Sequence, residues 1–92
     1  MFMREIVQEW VKRGDSDLEA AKLLAPEKGL ENQTGFHCHQ AIEKWLEAYL
    51  IKQGEELRKI HDLTALVIDC EKHDSEFQKL EVLVEGITDF AV

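Results

Sequence analysis

The stretch GFHCHQAIEKWLEAYL, residues 35–50, decides how the chain is read. Three residues of metal-ligand types, His37, Cys38 and His39, stand side by side in it. A helix turns about 100° per residue, so His37 and His39 point about 200° apart and cannot converge on one ion. Ligands on one helix come at i, i+3 or i, i+4. His39 and Glu43 have that spacing, but as a pair they are half a site that needs ligands from elsewhere. No metal and no cofactor is expected. Cys38 instead falls in register with Ala41, Ile42, Trp45, Ala48 and Tyr49, the strongest apolar periodicity of the chain. The stretch therefore reads as an amphipathic helix, with Cys38 packed as a small hydrophobe between two partly exposed histidines.

This helix extends over about 35–53. Asn32 or Thr34 is placed to cap its start, and Gly54 suits its exit. Leu46, Leu50 and Ile51 widen the apolar arc, which makes it a central helix contacted from more than one side. An earlier helix is predicted over about 4–25 from Ile6, Trp10, Leu18, Ala21, Leu24 and Ala25, with Val7 and Val11 beside them. Gly14 interrupts that stripe and marks a bend or a close helix approach. Pro26 and Gly29 end it. A third helix starts at Asp62, an N-cap, with Leu63, Leu66, Val67 and Cys70 on one face. A fourth starts at Ser75-Glu76-Phe77-Gln78, which fits a capping box. Its stripe is Phe77, Leu80, Leu83, Val84 and Ile87. Short connections between amphipathic helices favour antiparallel neighbours, so the predicted fold is all-α, an up-and-down antiparallel bundle of four or more helices.

Ninety-two residues make a single domain with a modest core, one that burial against a partner would help. One proline and five glycines leave little room for an all-β chain of many turns. The net charge of −8 is unevenly spread: 5 basic and 7 acidic residues over 1–33, 4 and 4 over 34–60, 2 and 8 over 61–92. The last third repels phosphate backbones, and the middle segment is the plausible place for an anionic ligand. Two cysteines, no secretory start and no apolar run of membrane-spanning length point to a cytoplasmic protein with reduced thiols and no membrane association.

Two groups of residues are candidates for contact with a nucleotide or a partner. On the central helix, Gln40, Glu43, Lys44 and Glu47 form a polar strip. Glu43 and Glu47 read as a solvated face, and Lys44 pairs with an acid of the first helix, for which Asp17 is the candidate. The functional reading puts His39, Gln40, Glu43 and Lys44 at a groove between helices or protomers. The second group is Arg58, Lys59 and His61, just before the third helix. There they form a basic knot at the positive end of a helix dipole, a usable anion site. The plainer reading has Asp62 as a cap and His61 bonded just before it.

Three stretches together resemble the HEPN domain family. Asp17-Leu18-Glu19-Ala20-Ala21-Lys22-Leu23-Leu24 is similar to its DLxxAxxLL first-helix pattern. Residues 38–50, Cys38 to Leu50, are similar to its QQAxEKxLKAxL second helix. His61-Asp62-Leu63, continued by Leu66, is similar to the HDL start of its third. His39 stands where the family often has the first Gln, and Glu47 where Lys is frequent. The family usually continues past Phe90 with an Arg-Tyr-Pro-type segment and a further helix. This sequence ends on Asp89-Phe90-Ala91-Val92 and is read as one HEPN-like domain over 1–92, short of that helix.

The resemblance implies a prokaryotic helical bundle that forms a homodimer. It also implies a link to nucleotide and RNA biology, often beside a minimal nucleotidyltransferase in a two-component, toxin–antitoxin-like pair. Nuclease members carry Arg, four to six residues, then His. Here the positions that follow Arg4, Arg13 and Arg58 at that spacing hold Glu-Trp-Val, Leu-Glu-Ala and Leu-Thr-Ala. No catalytic residue is assigned. The expected function is a non-catalytic nucleotide- or partner-binding accessory to a nucleotidyltransferase. The alternatives are a metal-independent ribonuclease toxin, acting on RNA through a noncanonical use of Arg58 and His61, and a structural dimerisation module.

Overall fold

The computed structural model describes residues 2–57 and 61–88. The chain is all-α: α1 Met3–Leu24, α2 Glu31–Lys52, α3 Leu63–Glu71, a 3-10 helix Ser75–Leu80, and α4 Glu81–Thr88. The helical-bundle class expected from the periodicity is the class observed.

Two helix starts differ from expectation. The second begins at Glu31, after Leu30, with no side-chain cap; Thr34 Oγ1 donates back to the Leu30 carbonyl at 3.0 Å instead. Gly29, at φ +88°, turns the chain there, and Glu31 meets the positive end of the helix dipole. The capping box at Ser75 is not formed. Asp74 caps one residue earlier by accepting from the Glu76 amide, and the turn that follows is the tighter 3-10 helix before α4 begins. The Asp62 cap is present, accepting from the amides of Thr64 and Ala65.

Helices α1 and α2 run antiparallel, since Trp10 meets Glu47, Gly14 meets Trp45, and Asp17 meets Lys44 and His37. Small residues let them approach: α1 buries Gly14 and Ala21, and α2 presents Ala41 and Ala48 among its buried residues. The interruption at Gly14 is thus a close approach. The main core lies on the other side of α2, where Leu46 and Leu50 meet Leu63, Leu66, Val67 and Cys70 of α3 and Val84 of α4. The predicted α3 face is buried in full. The Cys70 thiol donates to the Leu46 carbonyl, and burial pushes its pKa up to about 12, which makes it inert.

The helix α2 is central, as expected. Its most periodic face, however, is only partly covered: Cys38, Ile42, Trp45 and Tyr49 are half-buried. Among the described residues α1 packs against α2 alone and makes no helix contact with α4, so that face stays open between them. No described helix is long and apolar enough to cross a membrane.

A Cβ at position 14 would lie 2.5 Å from Trp45 Nε1 and 3.1 Å from the Ala41 carbonyl oxygen. Gly14→Ala gains about 1 kcal/mol of helix propensity. Against that stand about 1–3 kcal/mol of overpacking and the strained Trp45–Asp15 hydrogen bond. The net effect expected is a loss of about 1–2 kcal/mol, read as a fall in Tm of roughly 5–15 °C. An unchanged or higher Tm contradicts the close approach.

Candidate functional site

The polar strip of α2 is built around two carboxylates. Asp17, on α1, is the first. Its Oδ1 takes His37 Nδ1 at 3.0 Å and its Oδ2 takes Lys44 Nζ at 3.5 Å, while Lys44 also donates to Gln40 Oε1 at 3.1 Å. The Lys44–Asp17 pairing read from the sequence is therefore present, and His37 joins it. Glu43 is the second. It is 4% exposed, as is His39 one turn before it. Its Oε1 lies 2.6 Å from Nδ1 of His61, whose own side chain is 84% exposed.

These positions correct two expectations. Glu43 is not part of a solvated face: it is buried and bonded to His61, just ahead of α3. His39 is buried rather than partly exposed, and it is Cys38 that is left half-open. Burying a carboxylate is costly unless it is bonded, and the charge-assisted contact to His61 offsets part of that cost. Glu43 Oε2 and His39 Nδ1 are buried 3.6 Å apart, beyond hydrogen-bond reach, and neither has a hydrogen-bond partner among the described residues. No group of three or more described His, Cys, Asp or Glu residues is arranged to hold a metal ion.

Glu47, one turn after Glu43, accepts from Trp10 Nε1 at 3.4 Å. Burial pushes its pKa up and Glu43 adds to the rise, while Trp10, Lys44 and His61 oppose it. The pKa of His61 is also raised, first by its hydrogen bond to Glu43 and then by that group's charge. The bond to Nδ1 fixes which nitrogen faces outward: Nε2 is left to exchange a proton with solvent or a ligand. The arrangement can therefore orient an imidazole and hold a lysine in place. Of the seven candidate residues, His39, Gln40, Glu43, Lys44 and His61 lie on or beside this strip. Arg58 and Lys59 lie outside the described residues. The first free amides of α3, those of Thr64 and Ala65, are taken by Asp62.

Sequence reasoning paired Lys44 with Asp17 but missed the Glu43–His61, His37–Asp17 and Trp10–Glu47 contacts. Helical spacing gives the angle of each side chain on its own helix. It carries no signal for which residue of a ten-residue connection returns to which turn.

The raised His61 pKa gives a definite sign. Its contribution to stability is fully present below the ordinary value of 6.5 and fades as pH rises through the higher folded-state value. Glu43→Gln keeps an acceptor but removes the charge. It is expected to lower the His61 titration midpoint, followed by NMR of the imidazole Cε1 proton. An unmoved midpoint contradicts the contact.

The HEPN domain family model matches residues 7–92. No curated protein and no solved structure matches the chain.

Proposed function

The chain belongs to the HEPN domain family, and we propose that it is a non-catalytic accessory module of the cytoplasm that binds a partner protein. The partner is a nucleotidyltransferase subunit in a two-component, toxin–antitoxin-like system, and the accessory acts as a homodimer. The observation that carries this reading is how the cations of the candidate strip are used. Lys44 and His37 are both on Asp17, and His61 is on Glu43. A phosphate ligand gains most from cations and amides that are not already engaged. Here it has to displace internal carboxylates inside a chain of net charge −8. Of the two ligand classes, a protein partner is the better fit. The lack of Arg-x4–6-His spacing supports the same side.

One observation favours a second reading, metal-independent RNA cleavage. A buried Glu43 that orients His61 with Nε2 outward is the geometry of a general acid or base. Cleavage of a synthetic oligoribonucleotide that is lost in His61→Ala supports that reading.

The test of the main proposal is affinity capture of the tagged chain from its source cell, with mass spectrometry of what is retained. Recovery of a nucleotidyltransferase in near-stoichiometric amount is expected. Recovery of the chain alone contradicts it.

A further inference from the structure

The half-open face of α2 is an apolar feature not used by the polar strip. Two cavities lie along it. One, of about 370 Å³, is floored by Ile42, Trp45 and Tyr49 and walled by Phe77, Leu80 and Leu83. The other, of about 330 Å³, lies between Cys38, Ala25 and Ile87. Cys38 and Ile42 are one turn apart on α2, as are Val84 and Ile87 on α4, so the two cavities lie end to end. From Cys38 to Tyr49 they follow α2 for eleven residue steps, about 16 Å or three turns of helix.

The groove is a missing seam in the bundle. A closed bundle packs α1 against α4, and here, among the described residues, α1 rests on α2 alone. The floor is rich in aromatic rings, with Tyr49 and Phe77 at 4.6 Å between centroids. Leu83, on the wall, is 55% exposed.

The charges around the groove point to its occupant. Asp15, on the α1 side, accepts from Trp45 Nε1 at 3.1 Å. Glu31 lines the second cavity. Of the two charged residues of α4, Glu81 shares a hydrogen bond with Glu71 of α3, and Glu85 follows the lining residue Val84 in sequence. Lys22 and Lys79, two cations of the flanking elements, are paired on their own helices with Glu19 and Glu76. A second copy seated here through the same face would bring acids against acids, which disfavours it.

Resting on the partner-binding reading above, we propose that this groove docks an amphipathic helix of about three turns from a different protein, with apolar residues toward Trp45 and Tyr49 and Lys or Arg along both edges. Helix-in-groove recognition then closes the bundle, with i, i+3, i+4, i+7 anchors entering the two cavities.

The test uses two fourteen-residue leucine-rich amphipathic peptides that differ in carrying Lys or Glu on the polar face. Binding is followed by amide chemical shifts and titration. The Lys peptide is expected to shift resonances of Ile42, Trp45, Tyr49 and Leu83 and to bind at least about tenfold tighter than the Glu peptide. Leu83→Asn is expected to weaken it by about tenfold, and Val82→Asn, at a position 82% exposed and outside the groove lining, to leave it unchanged. Equal binding of both peptides, or binding indifferent to Leu83→Asn, overturns the proposal. So does a wild-type dimer that Leu83→Asn converts to monomer, since it assigns the groove to a second copy. A nucleotidyltransferase captured equally by wild type and Leu83→Asn removes the groove but leaves the accessory reading. Peptide binding as expected with no nucleotidyltransferase captured supports the groove and removes the accessory reading.

Discussion

Everything in this molecule is arranged around one helix that is contacted on several sides at once. Helix α2 has to admit α1 at close range, carry the main core and bury a carboxylate, all within twenty-two residues. The contact that permits this is Trp45 over Gly14. The absence of a Cβ at 14 lets the indole lie against α1, where its Nε1 reaches Asp15, and lets Ala41 and Ala48 come near enough for Asp17 to reach Lys44 and His37. A bulkier residue at 14 would move the two helices apart and loosen each of those polar contacts.

The same economy divides α2 into faces of different character. On the α3 side, Leu46 and Leu50 are sealed against Leu63, Leu66, Val67 and Cys70, a dry packing that supplies stability. On the polar strip, each cation that could attract a phosphate is engaged by an acid from a neighbouring element. Along the third face, Cys38, Ile42, Trp45 and Tyr49 are left half-covered between α1 and α4. The internal use of the strip cations and the apolar groove are the two features on which the proposed partner role rests.

Much of this was legible from residue order. The α3 face, the Asp62 cap, the centrality of α2 and the Lys44–Asp17 pair all follow from spacing on a single helix or from simple charge pairing. What was not legible depends on how elements return to one another. Glu43 looks solvated because Gln40, Lys44 and Glu47 flank it at polar spacing; its burial comes from His61 arriving eighteen residues later. The Cys38–Trp45–Tyr49 face looks like core because its periodicity is strong; it stays half-open because, among the described residues, α1 and α4 do not meet. The Ser75 box is not formed because Asp74, one residue earlier, caps the turn through the Glu76 amide.

The central proposal is that the strip's cations, paired with Asp17 and Glu43, serve the fold and not a phosphate ligand. It is tested most directly by an amide and side-chain NMR titration of the folded chain with ATP and with a short oligoribonucleotide at low salt, where any electrostatic binding is strongest. The account predicts no saturable shift at Lys44, Gln40 or His61. Saturable shifts at those residues, with loss of the His61–Glu43 signature, would contradict it and return the strip to the role of a nucleotide site.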